Sequence, residues 1–186
     1  TLGDLLTWAR AHPGRLNIGS INIGSTQHLA AELFKRTAGL DAQVVPFNGT
    51  PALVTALRGK QVDVAVEILG PVMPQIGAAV LRPLAVTGTR RSPLLPAVPT
   101  AEESGVKGLV ASSWNAFAVP SRTPPEVVTR LNEAIAAVLA APELQKRLRD
   151  MNVEPDPATP QETAALLAAD IRRWSDVIEK ANIPRQ

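Results

Sequence analysis

The chain has 186 residues, 45% of them hydrophobic, and carries 19 Lys and Arg against 17 Asp and Glu, a net charge of +2. That length fits one large domain or two small ones with a real core. Near-neutrality and 3% aromatic content argue against nucleic-acid binding, which needs a positive footprint and, for single strands, stacking rings. Zero cysteine excludes disulfides, thiol catalysis and Cys-based metal sites. No apolar run approaches the roughly 20 residues that span a bilayer. No signal peptide opens the chain, which is compatible with a processed protein or an internal fragment.

The first half alternates helices and short strands. Leu2 to Ala11 has a helical pattern through Leu5, Leu6 and Trp8, and Pro13-Gly14 stops it. Leu16 to Gly19 reads as a strand. Ser25 to Ala38 reads as an amphipathic helix, with Leu29 and Leu33, then Ala30 and Phe34, at i,i+4 spacing, and Gly39 as its C-cap. Ala42 to Pro46 is a second strand, Thr50 to Arg58 a helix ended by Gly59, and Val62 to Val66 a third strand. Pro71 to Ala78 is a short helix and Leu81 to Thr87 a fourth strand. This β-α-β-α-β series with short connections predicts an α/β fold, a mostly parallel sheet covered on both faces. Right-handed crossovers then place the strand-to-helix loops along one edge, where open α/β sheets bind ligands.

The second half differs. Arg90 to Pro99 is a Pro-rich connector, and Thr100-x-x-Glu103 is a capping-box pattern. Val110 to Val119 is a strand-like run through Trp114 and Phe117. Thr123-Pro124-Pro125-Glu126 and Thr159-Pro160-Gln161-Glu162 each announce a helix, with an N-cap Thr, Pro at the first position and Glu at N3. Pro142 opens a shorter helix between them. Trp8, Trp114 and Trp174 sit in apolar patterns and are expected in the core.

The stretch from Gly19 through Ser20, Asn22, Ile23, Gly24, Ser25 and Thr26 leaves a strand and enters a helix N-terminus. Such a terminus offers unpaired N–H groups and a partial positive charge. The loop has no Lys or Arg, so it is not a P-loop; an anion held here rests on neutral donors, as suits a carboxylate. Taken alone, Ser25 reads more readily as a plain N-cap, with Gly19 and Gly24 shaping a turn. Gly49-Thr50-Pro51 makes a second strand-to-helix loop on the same edge, with Thr50 read as N-cap. Two converging helix N-termini make a better anion site than one. Glu67 follows the third strand; it reads either as an acceptor for a ligand hydroxyl or ammonium, or as a solvated loop carboxylate. His28 reads as a packing histidine more readily than as a ligand contact. His12 looks structural, and two histidines without a carboxylate cluster give no metal site. Ser20 or Ser25 with His28 lacks a nucleophile elbow and an orienting acid, so no catalytic residue and no cofactor are assigned and an enzyme is not expected.

Ordered matches then run along nearly the whole chain. They are Pro13-Gly14-Arg15-Leu16-Asn17, Gly24 to Phe34, Val45 to Ala52, Gly59 to Asp63, Arg82 to Thr87, Val98 to Gly105, Ser113 to Phe117 and Pro124 to Val128. In these the chain resembles the substrate-binding proteins of tripartite tricarboxylate transporters, the TctC-like or Bug receptors of Gram-negative bacteria. The resemblance implies a periplasmic-binding-protein-like (type II) fold, two lobes closing on a small carboxylate: a di- or tricarboxylate, an acidic amino acid or an aromatic acid. It implies a periplasmic receptor serving membrane transporter subunits, with Asn22 to Thr26 as the loop of the second lobe. Relatives often carry Asp after the third strand where this chain has Glu67. Family members normally begin with about a hundred further residues. The expectation is therefore one complete lobe over residues 1–110 and part of the other over 111–186, a truncated chain that covers its apolar surface as a homo-oligomer.

Overall fold

The computed structural model describes residues 1–184. Helix α1 (Leu2–Ala11) starts at a reciprocal cap in which Thr1 accepts from the Asp4 amide and Asp4 accepts from Thr1. Strand β1 (Leu16–Ile21) is followed by α2 (Thr26–Thr37), β2 (Ala42–Phe47), α3 (Thr50–Arg58), β3 (Val64–Ala65) and α4 (Leu69–Gly77). The three strands form a parallel sheet in the order β2-β1-β3, with Leu16 opposite Ala42 and Ile18 opposite Val64.

That order explains the layering. The chain steps one way through α2 and the other way through α3, so right-handed crossovers lay the two helices on opposite faces. Leu16, Ile18 and Ser20 alternate onto one face of β1 and are fully buried. Gly19 faces the other way, toward α3, where Leu53, Ala56 and Val62 form a core with Ile21, Val45 and Phe47. A Cβ on Gly19 would lie 2.5 Å from the Leu53 side chain, so the close fit of α3 on the sheet requires glycine there.

Several sequence expectations change in detail. The third strand shrinks from Val62–Val66 to Val64–Ala65. The expected strand at Leu81–Thr87 is a single parallel bridge, Val86 to Thr100. Pro83 removes a donor from the middle of that run. What remains is a knot in which Val86 N–H donates to Pro99, Ala101 to Val86 and Ala111 to Thr87. Val110 to Val119 forms no strand. The short helix runs over Leu69–Gly77, two residues earlier than its Pro71 start. Trp8 is 40% exposed rather than in the core, stacked on His12 at the end of α1. Trp114 is also on the surface, and its indole N–H donates to Asp170 at 2.7 Å.

The chain divides into two compact units: Thr1–Ser113 with the chain from Asp176, and Trp114–Ser175. In the first, the end of α7 (Pro160–Lys180) buries Val177, and its Asp176 pairs with Arg36 at 3.0 Å. The second holds α5 (Pro125–Leu139), α6 (Pro142–Asp150) and most of α7. Neither α5 nor α6 buries a residue fully.

Candidate functional site

The carboxyl ends of β1, β2 and β3 open onto three turns that lead into α2, α3 and α4. The first turn is tied to β2, because Asn22 N–H donates to Phe47 at 3.0 Å, and is closed by Ser25 N–H to Asn22. Gly24 sits at φ +82 with nothing within 4 Å of where a side chain would begin. The backbone is left-handed there, and the space in front of it is open.

Ser25 is the N-cap of α2. Its hydroxyl accepts from His28 N–H at 3.1 Å and donates to Ile21 at 2.9 Å. That leaves the amides of Ile23, Gly24, Thr26 and Gln27 with no acceptor among the described residues. They are the orphan donors of a helix start and the residues leading into it. At the second turn Gly49 is the N-cap of α3, at φ +86, and Thr50 is the first helical residue rather than the cap. The N–H groups of Thr50 and Ala52 likewise have no acceptor among the described residues.

Glu67 lies directly past β3, and its carboxylate is engaged on both oxygens. Oε1 accepts from Gln27 Nε2 at 2.7 Å and from Ile68 N–H at 2.7 Å; Oε2 accepts from the Thr50 hydroxyl at 3.0 Å. Gln27 is in the first turn of α2, Thr50 begins α3, and Ile68 caps α4. The pattern signals Gln27 only by its place beside Ser25; nothing in the sequence tied it to Glu67.

The nine residues singled out from the sequence therefore divide. Asn22, Ile23, Gly24, Ser25, Thr26, Gly49 and Thr50 lie along one edge, exposed or half-buried. Glu67 is half-buried behind two of these turns. Ser20 is fully buried, and its hydroxyl has no hydrogen-bond partner. His28 is buried too, its Nδ1 unpaired, and burial holds its imidazole below the ordinary value. Among the described residues no group of three or more His, Asp or Glu gathers to hold a metal ion, and no helix is long and apolar enough to cross a membrane.

The outer row of the edge offers neutral N–H donors and helix N-termini, with the Glu67 carboxylate bonded behind them. Such a surface favours a small anion that can be met by several amides at once. Comparison with known proteins gives the family. The tripartite tricarboxylate transporter family receptor matches residues 1–183. Protein BugT of Bordetella pertussis is 32% identical over 97% of this chain and 55% of its own length. A protein from the tcbD-tcbE intergenic region of Pseudomonas sp. (strain P51) is 33% identical over 94% of this chain and 52% of its own. Among solved structures, an R. palustris protein with adipate superposes with a TM-score of 0.86 at 36% identity, covering 98% of this chain and 61% of that one. MatC from Rhodopseudomonas palustris, with bound malate, gives 0.78 at 28% identity, over 95% of this chain and 61% of its own. The chain thus spans about half the length of the curated relatives it matches, and it belongs to the tripartite tricarboxylate transporter receptor family.

Proposed function

We propose that this chain supplies the ligand-gripping lobe of a periplasmic solute receptor, holding a small organic carboxylate for the membrane subunits of a tripartite tricarboxylate-type transporter. The observation that carries the reading is the row of unused amides at Ile23, Gly24, Thr26 and Gln27, beside the start of α3. A carboxylate set against them satisfies donors that otherwise need water. Asn22, Ile23, Gly24, Ser25, Thr26, Gly49 and Thr50 form the contact edge; Ser20 and Glu67 support it from behind. The adipate and malate in relatives favour di- or tricarboxylates, with acidic amino acids and aromatic acids as further candidates. Residues 1–110 act as the gripping lobe and 111–186 as part of the other, except that the chain from Asp176 belongs to the first compact unit. The chain binds and does not catalyse, since the Ser25 hydroxyl is committed to its helix and its own backbone.

Calorimetry with adipate, malate, citrate, glutamate and benzoate tests this. At least one acid binds at millimolar concentration or better, and Gly24→Asn weakens it at least tenfold. Asn tolerates the left-handed backbone but fills the open space before the amides. No heat with any acid to tens of millimolar counts against the reading. A second reading, an interaction or sensory module without a small ligand, draws on the exposed apolar faces of α5 and α7. Co-purification of a partner protein by a chain that binds no acid favours it.

A further inference from the structure

The geometry points to Glu67 as a positioning residue, a carboxylate of the chain itself that locks three strand-to-helix turns into one edge without touching the ligand. This rests on the carboxylate-gripping reading of that edge.

Three helices begin at this edge, and each beginning favours negative charge. Glu67 provides it from within the chain. Its three donors come from α2, α3 and α4, at 2.7, 3.0 and 2.7 Å. The two 2.7 Å bonds are as short as charge-assisted N–H bonds become. A carboxylate accepts at about four lone-pair positions, so most of its capacity is taken. A ligand hydroxyl or ammonium that sought Glu67 would have to displace Gln27 or Thr50, and a ligand carboxylate would be repelled by it. The bonded residues are also the useful ones. Gln27 and Thr50 are held by their side chains, and their own backbone N–H groups are among the unused donors of the edge. Fixing those side chains fixes the direction in which the amides point. Binding through amides depends on that preorganisation, because each donor must arrive already aimed.

Two substitutions separate the roles. Glu67→Gln keeps the shape: its amide oxygen can face Gln27 and Ile68, while its NH2 donates to the Thr50 hydroxyl, which can accept as well as donate. Glu67→Ala removes all three bonds. The readouts are calorimetric affinity for adipate, malate and glutamate, and hydrogen exchange of the Asn22, Ser25, His28 and Leu53 amides in the ligand-free 186-residue chain. These four amides are hydrogen-bonded within the turns and helix starts.

In the Ala variant, exchange at the four amides speeds at least tenfold and affinity falls at least tenfold for every acid bound. In the Gln variant both stay within about threefold of wild type, an equal shift for hydroxylated, amino and plain acids. Wild-type exchange and affinity in Glu67→Ala overturn the proposal. So does a Gln loss confined to malate and glutamate, which marks a direct contact with their hydroxyl or ammonium. If Glu67→Ala does not fold, Gln27→Ala cuts only one arm. It speeds Ser25 and His28 and spares Leu53, and unchanged exchange at the first two overturns the proposal. If wild type binds no acid while the exchange pattern holds, the receptor reading fails and the positioning role of Glu67 stands.

Discussion

At the scale of single residues, the side chains around the site are already hydrogen-bonded while its amides are not. The Ser25 hydroxyl closes α2 on itself, so Ser25→Ala removes a cap and costs about 1 kcal/mol of stability. Thermal unfolding measures that loss, and Gly24→Asn serves as the contrast, with its effect on binding. The sequence made Ser25 and Gly24 visible because a cap and a left-handed turn have strong residue preferences. It left Glu67 ambiguous because a carboxylate's partners are set by topology: Gln27 and Thr50 are 40 and 17 residues away in the chain. His28 belongs to the same scale. Burial is the larger influence on its imidazole and lowers it from 6.5, with Glu32 one turn along opposing. The unfolded chain takes up that proton as pH falls through 6.5, and the folded chain resists it. Stability is therefore full above that value and declines below it. Melting temperature should drop as pH falls below 6.5, and His28→Gln should flatten that slope. Asp4, Glu103, Glu162 and Asp176 are held below their ordinary carboxylate values by hydrogen bonds, so their contributions are lost only at lower pH.

At the scale of elements, local chemistry was the legible part. Two of the three Thr-x-x-Glu patterns form reciprocal caps. Thr100 N–H donates to Glu103 at 2.8 Å and Glu103 N–H to the Thr100 hydroxyl at 3.0 Å; Thr159 and Glu162 repeat the pair at 2.8 and 3.2 Å. Gly39 takes the left-handed conformation after α2, and Leu40 N–H returns to Lys35 at 2.9 Å, as a helix-ending glycine motif requires. At Thr123 the same signal shifted by one, and Pro124 is the cap of α5. Strands were harder to read, because a strand exists only with a neighbour. Leu81 to Thr87 has the right residues, but Pro83 interrupts its donors and only Val86 is bridged. Val110 to Val119 has strand-forming composition, yet only Ala111 is tied to a neighbouring segment, through Thr87, and no strand forms. Where packing is complete the energetics are ordinary. Leu53 is 1% exposed at the centre of the α3 cluster. Leu53→Ala should cost about 2–5 kcal/mol in denaturant unfolding. Because α3 starts at the ligand edge, the same variant should also weaken binding.

At the scale of the whole molecule, exposed apolar surface sets the problem. In the second unit Val127, Leu131 and Val138 of α5 and Leu166, Leu167 and Ile171 of α7 are all exposed. The i,i+4 spacing within each stripe, 127 to 131 and 167 to 171, is a local property that the sequence carries. It could not say what covers them, because covering is not local. Water against two amphipathic faces is unfavourable at about 25 cal/mol per Å². A hydrophobic dye should therefore bind the 186-residue chain, and Leu131→Asp or Ile171→Asp, each placing a charge on one stripe, should lower that binding while the far-ultraviolet helix signal persists. Affinity for the acid should be unchanged in both variants, since the ligand edge lies in the first unit. Equal dye binding by the variants and the unsubstituted chain would show that these two faces are not the exposed apolar surface.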